Sequence, residues 1–190
     1  MTSADLLVLR PLRRADIADL QNIDRAAHGE AWSAAAFGSQ IENGAVRHLV
    51  AELDGDVVGH AGAWQDGTSL RITNVAVHAE AGGRGIATAL LLDLLSDPRH
   101  ADRIELEVRP ANRRAQRLYS RFGFAPVGVE RGFYDRTDAS GSRDALVMAI
   151  NEPHASAWRD RMTALAASAG TQTTDPNADN RAGNNEDEAA

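Results

Sequence analysis

Apolar positions along the chain change period repeatedly, and each change marks an element. Leu6 to Arg10 is a short extended run stopped by Pro11, whereas Asp16 to His28 places Ile17, Leu20 and Ala27 at helical spacing. After a loop holding Trp32, Ser33 is placed to cap a second short helix that Gly44 closes. Arg47 to Leu53 and Val57 to Trp64 read as strands joined at Asp54-Gly55, a pair suited to a tight hairpin turn. Asp66-Gly67 then turns the chain into a third strand, Leu70 to Val77, so an antiparallel meander is expected. Gly85 to Leu95 is the clearest helix, with Ile86, Leu90, Leu91, Leu94 and Leu95 on one broad apolar face and Pro98 beyond its end. Ile104 to Val108 is the next strand, and a strand, helix, strand unit of this length implies a parallel pair with a right-handed crossover. Pro110 and Asn112 open another helix, in which Ala115, Leu118 and Phe122 recur at i, i+3 and i+7 before Gly123 ends it. Phe124 to Tyr134 and Ala145 to Ile150 are expected to close the sheet as an antiparallel pair.

The division that follows is a folded domain over 1–152, a C-terminal helix over 153–169 with Trp158, Met162 and Leu165 spaced to pack, and a tail over 170–190. The tail is polar and acidic, and it has too few large apolar residues to offset its ordering entropy, so disorder is expected there.

Composition narrows the chemistry. A chain of 190 residues with 43% hydrophobic content builds one core. Of the formal net charge of −7, the tail supplies −4, from Asp175, Asp179, Glu186, Asp187 and Glu188 against Arg181, which leaves the folded part near neutral. No direct nucleic-acid binding is expected, because polyanions are held by clustered cationic charge. All 20 basic residues are Arg, so Schiff-base and P-loop lysines are excluded, and the absence of Cys excludes thiolate catalysis and disulfides. The six His are scattered from His28 to His154 without a tight pair at metal-ligand spacing, so no metal is expected. With no basic leader running into an apolar stretch and no run near the ~20 apolar residues that span a bilayer, a cytoplasmic protein without a membrane partner is expected.

Three local features carry candidate chemistry. Gly82-Gly83-Arg84-Gly85-Ile86-Ala87-Thr88 lies between a strand and a helix, where glycines let backbone N–H groups approach an anion and the helix start adds positive potential. A plain flexible connection would look the same. Ile104-Glu105-Leu106-Glu107-Val108 alternates, placing both acids on one strand face; that describes either a wet cleft or an edge strand with one solvated face. Tyr119, next to Leu118, is either a core tyrosine with its hydroxyl reaching a partner or an acid.

Taken in order, Asn74-Val75-Ala76-Val77, the Gly-rich turn, Leu106-Glu107-Val108-Arg109-Pro110-Ala111-Asn112, and Leu118-Tyr119 through Arg121-Phe122-Gly123-Phe124 resemble the GNAT acetyltransferase superfamily. Within it, the likeness is to ribosomal-protein-alanine N-acetyltransferases of the RimI type. The resemblance spans roughly Leu6 to Ile150. It implies an α/β (α+β) fold, with a mixed, mainly antiparallel central sheet and helices on both faces, and acetyl-CoA as cosubstrate. It implies that Val75, Ala76 and Val77 bind the pantetheine arm and thioester through their backbone. Gly83, Arg84, Gly85, Ile86, Ala87 and Thr88 would hold the pyrophosphate, and Asn112 would contact the coenzyme near the centre. Glu107 would be the general base and Tyr119 the general acid, with Trp32 and Tyr134 on the acceptor side. The implied acceptor is a protein or peptide N-terminus, alanine on a small-subunit ribosomal protein. Acetylation of a small-molecule amine or a protein lysine, and a non-catalytic acetyl-CoA sensor, are the alternatives. Two departures stand out. Gly82 replaces the usual Arg or Gln, for which Arg84 could compensate, and Glu30-Ala31 stand where an aromatic and Pro often precede the Trp-Ser pair.

Overall fold

The computed structural model describes residues 6–98, 101–137 and 141–169. The strands are β1 (Leu7–Pro11), β2 (Val46–Leu53), β3 (Asp56–Asp66), β4 (Ser69–Val77), β5 (Arg103–Val108), β6 (Ala125–Glu130) and β7 (Ala145–Asn151). They form one sheet in the order β1-β2-β3-β4-β5-β7-β6. Among the described residues, only β4 and β5 run parallel. The helices are α1 (Ile17–His28), α2 (Ala34–Glu42), α3 (Ile86–Leu94), α4 (Arg113–Phe122) and α5 (Ser156–Ala169). The mixed, mainly antiparallel sheet thus matches the expectation. None of the helices among the described residues is long and apolar enough to cross a membrane.

Strand alternation explains why helices cover both faces. From β2, Leu49 and Ala51 enter the large core with Leu90, Leu91 and Leu94 of α3, while Val50 enters a smaller core with Leu20 of α1 and Phe37 of α2. Local signals set the helix ends. Ser33 Oγ accepts from Ala36 N at 3.1 Å to cap α2, and Gly29 (φ 80°) and Gly123 (φ 99°) take the left-handed conformation that ends α1 and α4. The buried Arg10 fixes where α1 starts: its guanidinium donates to both Asp16 oxygens, at 2.7 and 2.8 Å, and also pairs with Glu52 of β2.

Several boundaries differ from those expected. β1 ends at Pro11 but includes it: Pro11 pairs with Leu49 at the edge of the sheet, where a missing N–H costs no ladder bond. Asn43, not Gly44, ends α2. The expected strand to Tyr134 stops at Glu130, because Gly132 (φ 66°) turns the backbone out of the ladder, and Phe133 and Tyr134 lie in the following loop. β7 inserts between β5 and β6, so β5 is an interior strand rather than an edge. α5 has a definite seat: Trp158, 8% exposed, donates its indole N–H to the Phe122 carbonyl at 3.0 Å, and Met162 and Leu165 pack on the large core. The tail over 170–190 lies outside the described residues.

Candidate active site

The sheet opens where its one parallel pair comes apart. β4 and β5 are paired only from Ser69↔Arg103 to Ile72↔Leu106. The next residue, Thr73, is skipped in the β3 ladder, which jumps from Gly62↔Asn74 to Ala63↔Ile72, and a bulge of this kind bends and twists a strand. Beyond it the strands part around a cleft of about 520 Å³. Val75 lines the β4 side and Glu107 the β5 side; Asn112 and Tyr119 enter from α4, Trp32 from the α1–α2 loop, and Tyr134 from the loop after β6. Six expected site residues from five segments therefore meet at one place. Thr73 Oγ1, buried at the bulge, has no hydrogen-bond partner among the described residues.

The two β5 acids separate in character although they share a face. Burial pushes the Glu107 carboxyl above its ordinary range; Arg71, 3.3 Å away, pulls it back, and the charges of Glu105 and Glu130 add to the rise. Burial also acts on Glu105, but hydrogen bonds from Arg71 at 2.8 Å and Arg103 at 3.1 Å outweigh it and hold that carboxyl low. Glu105 is held as an anion by two arginines, whereas Glu107, with its side chain 7% exposed, lines the cleft with a raised proton affinity. Burial, reinforced by Tyr134, pushes the Tyr119 hydroxyl well above its usual value, so it stays protonated at neutral pH. Burial raises Tyr134 to about 12, although the Arg109 guanidinium 3.9 Å over its ring opposes the rise. Asn112 keeps its cap, its Oδ1 accepting from Ala115 N at 3.0 Å, while also lining the cleft.

The Gly-rich turn lies apart from that lining. Gly83 (φ 84°) and Gly85 (φ 81°) are left-handed, and among the described residues no side chain caps the start of α3, where the first-turn N–H groups of Ile86, Ala87 and Thr88 lie. A Cβ on Gly82 would lie 2.9 Å from the Ala79 carbonyl, and the Arg114 guanidinium comes within 3.5 Å of that same point. Arg114, in the first turn of α4, thus stands beside Gly82. Ala76 is buried and, unlike Val75, does not line the cleft.

The family model described as "Acetyltransferase (GNAT) family" matches residues 17–124. The chain belongs to the GNAT acetyltransferase family. A Bacillus subtilis (strain 168) protein named as a candidate ribosomal protein bS18-alanine N-acetyltransferase is 34% identical over 149 residues, which cover 76% of this chain and 96% of the relative. The ribosomal protein bS18-alanine N-acetyltransferase of Escherichia coli (strain K12) is 30% identical over 143 residues, covering 73% and 93%. The crystal structure of the Escherichia coli ribosomal-protein-S18-alanine N-acetyltransferase superposes with a TM-score of 0.69 at 25% identity, covering 77% of this chain and 94% of that one. This GNAT chain is an N-acetyltransferase by these likenesses. Among its described residues, no group of three or more His, Asp or Glu side chains is arranged to hold a metal.

Sequence reading missed four participants: Arg71, which tunes both acids; Arg109, which clamps Tyr134; Arg114; and Asp24, buried at the cleft. Arg109 stood inside a quoted motif without a role, and Asp24 left a trace as an acid four residues after Leu20 on the buried stripe of α1.

Proposed function

We propose that this GNAT enzyme transfers the acetyl group of acetyl-CoA to the free α-amine of a protein N-terminus, with alanine of a small-subunit ribosomal protein as the physiological acceptor. The observation that carries the reading is Glu107, a nearly buried carboxyl of raised proton affinity at the point where β4 and β5 separate. Glu107 takes a proton from the ammonium, directly or through water, and passes it to solvent; the neutral nitrogen attacks the thioester carbon, the adduct nitrogen then gives up its second proton as the C–S bond breaks, and that proton reaches the departing sulfur, which accepts a hydrogen bond from Tyr119, so that the coenzyme leaves as the thiol. Backbone N–H groups of Val75 to Val77, past the end of the β5 ladder, stabilise the oxyanion. With no Cys in the chain, transfer is direct. The pyrophosphate rests on the uncapped start of α3, from Gly83 to Thr88, with Arg114 beside Gly82. Trp32 and Tyr134 line the acceptor side.

The α-amine is favoured because its pKa of ~7.7–8.0 lies below the ~10.4 of lysine, a difference of roughly three-hundred-fold in neutral fraction at pH 7. The names of the two relatives support the same acceptor. The test is mass spectrometry of a peptide beginning Ala-Arg with one internal Lys, compared with its N-terminally blocked version and an amine antibiotic at fixed acetyl-CoA. Acetylation confined to the free N-terminus is expected. Equal rates on the blocked peptide, or activity on the antibiotic alone, would replace the reading; coenzyme binding without turnover on any amine would make the protein a sensor.

A further inference from the structure

The small core beneath α1 and α2 contains polar groups that an apolar layer does not need. Asp24 is 1% exposed, His60 0% and His48 6%, set among Leu20, Phe37 and Val50. Burying such groups is costly unless every one is paired. They are paired in a single file. Gln40 Oε1 is 2.8 Å from His48 Nδ1, His48 Nε2 is 3.1 Å from His60 Nδ1, and His60 Nε2 is 3.1 Å from Asp24 Oδ1. The ring centroids of His48 and His60 lie 5.2 Å apart with their planes 16° from parallel, the near-coplanar arrangement that an in-plane contact between ring nitrogens requires. Gly62 makes this passage possible: a Cβ there would fall 2.9 Å from His48 Nδ1.

The file ends on the wall of the cleft. Asp24 Oδ1 also accepts from Asn74 Nδ2 at 3.0 Å, Asn74 Oδ1 faces His28 Nε2 at 3.2 Å, and Asp24 Oδ2 faces the backbone N–H of Trp32 at 3.5 Å. Asn74, His28 and Trp32 all line the cleft, whereas His60 does not. At the other end, Gln40 and His48 border a second cavity, of about 570 Å³. A carboxylate only accepts, which fixes a proton on His60 Nε2. Burial, and then the charge of His60, pushes His48 down to about 3, so it stays neutral and keeps its place in the file at working pH.

We propose that Asp24, braced through His60 and His48 to Gln40, is a positioning residue that sets Asn74, His28 and the Trp32 loop as the acceptor wall of the cleft. This rests on the acceptor reading above, in which the amine enters past Trp32. His60 and His48 lie off the cleft that Asp24 borders, so changes at the two imidazoles should alter acceptor binding from a distance. His60 pairs with Ala76 of the proposed pantetheine strand through the backbone ladder, which side-chain changes at His60 leave in place, so coenzyme affinity should change far less than the KM of the acceptor.

The experiment uses the full chain with His60→Phe and Gly62→Ala, which cut the file at two points, and with His60→Gln, which restores a donor toward Asp24. Amide hydrogen exchange over 29–33 and steady-state kinetics at saturating acetyl-CoA are measured on each. Both disruptive variants should exchange the Trp32 amide at least about tenfold faster and raise KM for the Ala-Arg peptide about tenfold, with kcat changed much less. Acetyl-CoA affinity by calorimetry should change far less than that KM, and His60→Gln should recover most of the wild-type KM. Should His60→Phe fail to fold, Gly62→Ala carries the comparison. Unchanged exchange and KM in a folded variant would overturn the proposal. So would a fall in kcat with a displaced pH profile, which would put the file in proton transfer. If the wild-type enzyme acetylates no peptide N-terminus, the acceptor reading fails, and the exchange of Trp32 alone decides whether the brace positions this wall.

Discussion

Glu105 and Glu107 are two residues apart on one face of β5, yet Arg71 and Arg103 bind the first closely while the second is left nearer the cleft with a raised proton affinity. The proposed roles give Glu107 more of the work than Tyr119. A tyrosine whose hydroxyl is pushed far up holds its proton more tightly than a thiolate of conjugate-acid pKa ~8.5 can take it, so Tyr119 aids departure mainly as a hydrogen-bond donor. Glu107→Gln should lower kcat by roughly 10²–10⁴-fold and Tyr119→Phe by less, as read by thiol release. Stability should move the other way for the first variant. A carboxyl raised in the fold contributes most below its unfolded pKa, ~4.3, and that contribution is lost as pH rises through the folded value. Above the unfolded pKa the Glu107 carboxyl therefore costs the fold stability, and Glu107→Gln should melt no lower than wild type at pH 7 by calorimetry.

α5 shows how one helix beyond the sheet supports the site without entering it. Its Trp158 donates to the carbonyl of Phe122, the last residue of α4, and lies 3.4 Å from where a Cβ on Gly123 would be. α4 carries Asn112 at its cap and Tyr119 within it, so the indole secures the end of the helix that brings both to the cleft. Trp158→Ala should cost ~3–5 kcal/mol in urea unfolding, as for large aromatic truncations in cores. A loss near zero would mean that α5 does not hold α4. The Trp158, Met162 and Leu165 spacing gave the helix in advance, but not its seat, since nothing local says which carbonyl an indole will meet 36 residues away.

For the molecule as a whole, the buried imidazole of His48 sets an acid limit. Its pKa is depressed from about 6.5 to about 3 by burial and by His60, so its contribution is complete above pH 6.5 and is lost as pH falls from there toward 3. Asp16 and Asp24 add to the loss lower down. Burial pushes both carboxyls up, but hydrogen bonds, from Arg10 to Asp16 and from His60 to Asp24, hold them below the usual carboxylate range, so what they contribute fades only below pH ~3.9. Urea titrations between pH 6.5 and 4 should show unfolding free energy falling with pH in the wild type. In His48→Gln the slope should be shallower by up to about 1.4 kcal/mol per pH unit, the linkage of one proton. Equal slopes would mean that His48 titrates normally in the fold.

Much of the architecture could be read directly because it rests on short-range physics. The alternation in β2 to β5, the Asp54-Gly55 turn, the Ser33 and Asn112 caps and the apolar face of α3 each depend on neighbours a few residues away. The ordered motifs around Val75, Gly85, Glu107 and Tyr119 identified the GNAT family for the same reason, since each motif is contiguous. What the amino acids could not decide alone depended on register and packing across the sheet. Whether Glu107 lay on an edge or in a cleft turned on β7 inserting beside β5, and Tyr134 reached the cleft because Gly132 ended the ladder early. Asp24, His60 and His48 look unremarkable in separate segments 12 to 36 residues apart; they become one file only when the β2–β3 register and the seat of α1 bring their polar atoms to about 3 Å. Local propensity fixes elements, but burial and proton affinity belong to the assembled fold, because both are set by which distant groups exclude water from a site.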